Sequence, residues 1–313
     1  QEDPVRMLRA IKFAARLGFG FEPSTWRALL RWRTEISKCA APRLLEEVHR
    51  LLRGGAARRS FELMVETGVL AVLSPYLAGL LEGPGAPITA PLIPVAAPRP
   101  TVARVEYEDE DPAEHDIDDP EEEAGEAEAD ADADEASGRG DDDELETEER
   151  EWHRVWADEP PARPAHAATI RLSFLPMPEF VKRRALAWEA LGQLDVAIGE
   201  GRDPSNAVAF GILLAAYLPD ELRGGELHGA VNELSHPLIG QLHVTRRDSE
   251  RLRYLLLAQK KLAAARKRGV QAELAGGREV IDDAMLLFTL LERAAGGDAE
   301  LPAVLASSEG RDE

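Results

Sequence analysis

Two groups of residues in this sequence have the types and spacing to do chemistry. The first is Glu2, Asp3 and Arg6, continued by Arg9, Lys12 and Arg16. Asp3 before Pro4 reads as an N-cap followed by a first helical position. The two carboxylates and the Arg6 guanidinium therefore fall on or beside one helical turn, where they are presented together. At about 100° per residue, Arg6, Arg9 and Arg16 share one broad sector of that helix. Cations in that sector can meet phosphate groups or simply form a solvated face. The second group is Arg246, Arg247 and Arg251, at the head of a basic stretch that reaches Arg268 through Arg253, Lys260, Lys261, Arg266 and Lys267. A cationic groove gives affinity for a phosphate backbone without regard to sequence; an exposed charged helix is the alternative.

These side chains need elements to hold them. Leu8, Ile11, Ala15 and Phe19 lie on a second face of the first segment, which predicts an amphipathic helix that buries one side and shows cations on the other. The segment begins at the first residue without an initiator Met, and we expect a further fold before it. Consecutive helices are predicted through residue 82. One starts at Pro23 with Trp26, Leu29, Leu30 and Trp32, and one at Pro42 carries Leu44, Leu45, Val48, Leu51 and Leu52 before Gly54-Gly55 stops it. A third holds Phe61, Leu63, Met64 and Val65, and a short one over Val69 to Leu81 is broken by Pro75. The Leu and Trp stripes are read as core.

From Gly83 to Pro100 six prolines make a regular helix untenable. Between Glu106 and Glu151 there are 26 Asp or Glu and two Arg, a segment charge of −24. Such a composition cannot bury enough apolar surface to offset the entropy of ordering, so residues 83–177 are expected to form a Pro-rich and acidic disordered insert. The net charge of −21 therefore misleads, because the remainder holds 32 acids and 35 bases, or +3. We read the insert as a passive solubilising loop; folding back onto cationic helices to compete with a polyanion is the alternative. Thr169 to Phe174 is expected to be extended. A second helical block is predicted over 178–296: a long amphipathic helix from Pro178, a mostly buried one from Ala207 to Leu218, one over Glu221 to Leu234, the basic Arg246–Arg268 helix, and a last one from Val280 to Ala294. Residues 297–313 are expected to be a disordered tail. The fold class is thus all-α, an antiparallel helical neck and body bundle interrupted by the acidic insert.

Several chemistries find no support. Cys39 is the single cysteine, so there is no disulfide framework or thiolate metal site. This fits a reducing compartment, and we expect a cytoplasmic protein. No apolar run approaches the roughly 18 residues of a membrane span, so no membrane partner is expected. None of the seven histidines pairs with a second ligand at metal-binding spacing. There is no phosphate-binding Gly-rich loop, nucleophile elbow or Ser/His/Asp set. No catalytic residue and no metal ligand is assigned.

The opening Glu2-Asp3-x-x-Arg6, continued by Met7-Leu-Arg-Ala-Ile-Lys-Phe13, resembles the junction between the catalytic head and RNA-binding parts of bacterial poly(A) polymerases and tRNA nucleotidyltransferases (CCA-adding enzymes). The resemblance extends through Ala41-Pro-Arg-Leu-Leu-Glu-Glu-Val-His-Arg-Leu-Leu52, Phe61-Glu-Leu-Met64 and Gly68 to Pro75, reaching about Leu77. It favours the poly(A) branch, while CCA addition uses the same neck logic. By that resemblance Asp3 and Arg6 read the incoming base, with Glu2 in support: a carboxylate accepts from an exocyclic amine and a guanidinium donates to a ring nitrogen or carbonyl. Arg9, Lys12 and Arg16 face RNA or triphosphate phosphates, and Arg246, Arg247 and Arg251 extend the RNA contact. The family's metal-binding carboxylates lie on a small α/β head before this helix. The resemblance thus implies a parent that uses ATP and Mg2+ on RNA 3′ ends, and a chain inactive by itself. A helical RNA-binding module that is not an enzyme remains the alternative of a different class.

Overall fold

A computed structural model describes residues 3–84, 86, 170–297 and 304–307. The architecture is all-α, and the most strongly acidic part of the sequence lies outside the described residues. Helix α1 (Val5–Leu17) buries Val5, Leu8, Ile11, Ala14 and Ala15 at the spacing of one helical face. It ends at Gly18, whose φ of 67° is left-handed and closes the helix. Phe19 then lies past the cap and is 63% exposed, contrary to its expected place on the buried face. Phe21 is buried instead, against Trp26 with ring centroids 5.6 Å apart.

Helix α2 (Pro23–Trp32) and a 3₁₀ segment (Arg33–Lys38) are thinly covered, burying Leu29 and Ile36 respectively. They lead into α3 (Ala41–Leu52), α4 (Ala57–Glu66), α5 (Val69–Leu73) and α6 (Pro75–Leu81). Pro75 breaks the stretch as expected: Ser74 turns extended there, and its hydroxyl accepts the Leu77 amide at 3.2 Å, capping α6. Helix α1 packs on α3, α4 and the 3₁₀ segment.

Thr169 lies outside the described residues, and Ile170 to Phe174 form no strand: Leu172 and Leu175 make an isolated bridge around a turn. The helices that follow are α7 (Met177–Gly199), α8 (Asn206–Ala215), α9 (Gly224–Leu242) and α10 (Arg246–Arg268). Ala207 to Ala215 of α8 are all buried. Helix α9 runs eight residues beyond the expected Leu234 and passes through Pro237. Leu238 and Leu242 continue its buried stripe, and their burial outweighs the amide bond lost at the proline. Strand β1 (Ala272–Ala275), which the sequence reading did not foresee, precedes α11 (Arg278–Ala294). Within the stretch read as a disordered tail, β2 (Val304–Ser307) pairs parallel with β1, Ala272 opposite Val304 and Ala275 opposite Ser307. A four-residue alternation is too short to be told from loop by its pattern.

Polar side chains from the later helices finish the ends of the earlier ones. Buried Arg184 on α7 donates to the α6 carbonyls of Leu80 (2.8 Å) and Gly79 (3.3 Å) and to Pro84 (2.8 Å). Trp188 Nε1 donates to Leu81 O at 3.0 Å, and the Tyr217 hydroxyl to Leu80 O at 2.6 Å. These are the carbonyls that a helix C-terminus leaves without intrahelical partners. At the other end of α6, Gln241 Oε1 accepts from the Ser74 hydroxyl (2.7 Å) and the Tyr76 amide (3.1 Å). Asp195 on α7 accepts the first amides of α4, from Ala57 and Arg58, where Ala56 offers no side-chain cap. The early and late helices are thereby held as one body despite the long intervening sequence. Among the described residues no helix is long and apolar enough to cross a membrane.

Candidate nucleic-acid interface

The first turn of α1 carries the residues with the clearest chemical assignment. Asp3 Oδ1 accepts the Val5 amide at 3.2 Å, and its backbone carbonyl accepts the Arg6 amide at 3.0 Å. Its other carboxylate oxygen takes the guanidinium of Arg43 from α3. The Val5 amide above all, helped by Arg43 and Arg9 and opposed by partial burial, holds the Asp3 carboxyl below its ordinary value. Asp3 is thus an anion fixed from two sides, half-exposed, at the start of the helix. Arg6 follows on the same turn and is exposed. Glu2 lies outside the described residues.

The next cations along α1 converge on a carboxylate that the sequence reading did not single out. Glu47 on α3 is 2% exposed. It accepts from Arg9 Nε at 3.1 Å and Arg50 at 3.0 Å, and Lys12 Nζ stands 3.7 Å from its second oxygen. A carboxylate is kept inside a helical core only when cations and hydrogen bonds offset its desolvation. Arg9 and Lys12 are therefore braces between α1 and α3 before they are anything else, while Arg16, in the last turn of α1, is exposed. The signal was present in the sequence: Glu47 lies three residues after Leu44 and four before Leu51, on the apolar face of its own helix. A lone acid on such a face, opposite a basic helix, marks a buried ion pair.

The basic stretch on α10 divides in the same way. Arg246 is exposed and pairs with Glu250 one turn on, at 2.8 Å. Arg247 is exposed beside it. Arg251 turns inward: it bonds Glu279 through both the side chain (2.7 Å) and the carbonyl (3.2 Å), and its Nε lies 2.7 Å from Asp283, all on α11. Further along, Lys260 donates to Leu218 O at 2.8 Å and Asp220 at 3.1 Å, with burial pulling its ammonium below the ordinary lysine value. Arg266 pairs with Glu292. Helix α10 packs on α8, α9, α11 and β1, so its cations and those of α1 are held by different neighbours. Of the residues chosen from sequence, the structure draws Arg9 and Lys12 together on Glu47, ties Asp3 to Arg43, and commits Arg251 to α11.

Among the described residues, no group of three or more His, Cys, Asp or Glu side chains is arranged to hold a metal ion. The acids met so far are each matched to a base or a backbone amide. The described residues therefore do not fit a Mg2+ site, and no chemistry of this chain is derived through one.

A helical body with a fixed carboxylate at its first turn and arginines on exposed faces has the surface chemistry to meet a nucleic acid. A family model described as "Probable RNA and SrmB- binding site of polymerase A" matches residues 18–81, from the end of α1 to the end of α6. The chain is 33% identical over 93 residues to a CCA-adding enzyme of Bacillus velezensis, covering 29% of this chain and 24% of that relative. It is 38% identical over 79 residues to a CCA-adding enzyme of Geobacillus stearothermophilus, covering 25% and 19%. Against poly(A) polymerase I of Escherichia coli O157:H7 the identity is 39% over 77 residues, covering 25% and 17%. The matched part spans a quarter or less of the length of these relatives. No solved structure matches. The N-terminal region of this chain is thus similar to the corresponding region of bacterial poly(A) polymerase I and CCA-adding enzymes.

Proposed function

We propose that this chain is the RNA-binding neck and body of a polynucleotide adenylyltransferase whose parent adds AMP from ATP to RNA 3′ ends. The observation that carries the reading is the match of α2 to α6 with an RNA-binding family model, directly after a helix whose first turn bears Asp3 and Arg6. Asp3 accepts from the exocyclic amine of the base and Arg6 donates to a ring nitrogen, with Glu2 in support. The Val5 amide and Arg43 occupy one site on each Asp3 oxygen, and each oxygen keeps a further acceptor site for the base. The lowered carboxyl keeps that acceptor ionised at neutral pH. Arg16, and the outer sides of Arg9 and Lys12, meet phosphates, and Arg246 and Arg247 extend the contact on α10. In this reading magnesium chemistry belongs to the parent's catalytic part, and the chain alone adds no nucleotide. CCA addition to tRNA is the second reading, favoured by the CCA-adding relatives.

The test is made on the complete gene product and on this chain. Incorporation of labelled ATP and CTP into an RNA 3′ end is compared for the wild type and for Asp3→Ala and Arg6→Ala. ATP preference that collapses in both variants, while RNA affinity stays within about threefold, supports the base-reading roles. CTP incorporation comparable to ATP on tRNA selects the second reading. Nucleotide addition by the present chain alone, or unchanged base preference in both variants, overturns the assignment.

A further inference from the structure

Helix α10 carries its charge unevenly. Its first nine residues, Arg246 to Tyr254, hold four arginines and two acids of their own, Asp248 and Glu250. Arg251 draws in Glu279 and Asp283 from α11, so four bases there meet four acids. Its last nine residues, Lys260 to Arg268, hold five bases and no acid. Arg266 pairs with Glu292. Of the other four, Lys260 and Lys267 both take Asp220, at 3.1 Å and 3.4 Å. Lys261 and Arg268 are exposed, and neither pairs with a carboxylate among the described residues. The turn that supplies Asp220, between α8 and α9, is itself gripped by cations. Lys260 donates to Leu218 O at 2.8 Å, Arg183 of α7 to Leu218 O at 3.1 Å and Ala216 O at 3.2 Å, and Arg223 to Leu222 O at 2.7 Å. Burial above all lowers the Lys260 ammonium, and the nearby charges of Arg183 and Arg223 push it the same way against Asp220. Positive charge is thus crowded at this end of the helix, where at the other end it is matched.

We propose that the second half of α10, with the turn over residues 216–223, is a phosphate-backbone contact for RNA, in which Lys261 and Arg268 meet the strand and Lys267 and Arg223 flank them. The inference rests on the RNA-binding reading above and adds a place and a mode of contact to it. Lys261 and Arg268 are seven residues apart, on one row of the helix and about 10.5 Å along its axis, so one strand reaches both. Cations in a last helical turn also suit the helix dipole, which accounts for Arg266, Lys267 and Arg268. It accounts for neither Lys261 nor Arg223. The span from Lys260 to Arg268 contains no aromatic residue, so nothing in it stacks on a base. Contact is therefore with the backbone, in single strand and duplex alike. A protein partner would need an apolar centre to the patch. Between residues 260 and 268 the exposed side chains are Lys261, Lys267 and Arg268, all charged.

The experiment titrates the full chain with a labelled single-stranded RNA of about 12 nucleotides, and with a duplex of equal length, at several salt concentrations. Wild type is compared with Lys261→Ala/Arg268→Ala and with the charge-keeping Lys261→Arg/Arg268→Lys. Arg171→Ala/Arg202→Ala, which removes the same charge from exposed arginines on either side of α7, is the control, and thermal melts report folding. Lys261→Ala/Arg268→Ala is expected to bind both RNAs about tenfold more weakly at about 0.1 M salt, with an unchanged melt. Its slope of log K against log salt should fall by about 1.4 on the single strand and about 1.8 on the duplex, the values for two phosphates. The charge-keeping variant and the control should bind as the wild type does. Wild-type affinity in Lys261→Ala/Arg268→Ala overturns the surface and leaves the RNA-binding reading standing. An equal loss in the control means that net charge alone is at work, and overturns the surface too. A loss confined to the single strand assigns the contact to bases and overturns the backbone mode. A wild-type chain that binds neither RNA overturns both the surface and the reading beneath it.

Discussion

Helices α1 and α10 are the two most evidently basic elements of the sequence, and they use their charge differently. On α1, Arg9 and Lys12 converge on one carboxylate, Glu47, which is almost wholly buried in the neighbouring helix. On α10 the inward cations are dealt out singly, Arg251 to α11, Lys260 to Asp220 after α8, and Arg266 to Glu292. The first arrangement concentrates one desolvation penalty at one point and shares it among three bases. The second spreads weaker, partly exposed pairs along a seam. In both helices the cations at the margin, Arg16 on α1 and Arg247 on α10, are exposed. Charge density along a helix therefore says little about which charges are available to a ligand; the position of the nearest acid on a partner helix decides it.

The strongest test of this contrast is Glu47→Ala. Removing a buried anion that serves three bases should cost about 2 kcal/mol, less than for a fully enclosed pair because Arg9 and Arg50 can turn to solvent. Urea unfolding reads the loss directly. A change below about 0.5 kcal/mol would mean that the convergence on Glu47 carries no weight. Arg251→Ala should cost less, about 1.5 kcal/mol, since its side chain is 11% exposed and Asp283 keeps the Ser205 hydroxyl as a partner. RNA affinity should stay at the wild-type value, because Arg251 is spent on α11. A loss of RNA affinity with no loss of stability would reverse its assignment.

The marginal cations should behave in the opposite sense. Arg16→Ala and Arg247→Ala are each expected to leave stability within about 0.5 kcal/mol of wild type. If they meet phosphate, each should reduce the salt slope of RNA binding by about 1. Unaltered slopes in both would confine the RNA contact to other faces.

How much of this was legible beforehand follows from what each signal depends on. The helices were visible because their apolar spacing is local: Leu8 and Ile11 on α1, or Leu252, Leu255 and Leu256 on α10, mark a buried face without knowledge of the partner. Phe19 was misplaced because Gly18 ends the helix in a left-handed turn, which breaks the 100° register one residue before it. The β1–β2 ladder was missed because a four-residue parallel pairing depends on a segment some thirty residues away. Asp3 and Arg6 stood out by type and spacing. The roles of Glu47, Arg43 and Arg251 as braces could not be read without their partners, since an arginine that braces two helices and one that meets phosphate have the same sequence neighbourhood. The base-reading roles of Asp3 and Arg6 still rest on resemblance and on the experiment proposed for them.

The smallest effect concerns the place where α3 approaches both α8 and the acid at the head of α10. His49 is 8% exposed, its ring 5.1 Å from Phe210 on α8, and its Nε2 has no hydrogen-bond partner. Burial pulls its pKa below the ordinary 6.5, outweighing the opposing pull of Asp248 and Glu46, while Arg53 acts with burial. In the window between that depressed value and 6.5, the unfolded chain binds a proton that the folded chain refuses. Stability contributed by this group is therefore complete above pH 6.5 and declines as the pH falls through the window. His49→Phe keeps the ring beside Phe210 and removes the titration. Melting temperatures of wild type and variant between pH 7.5 and about 5 should diverge, the wild type falling more steeply. Parallel curves would mean that the charges of Asp248 and Glu46 cancel the burial, and that α3 meets the acid of α10 more closely than it meets the core.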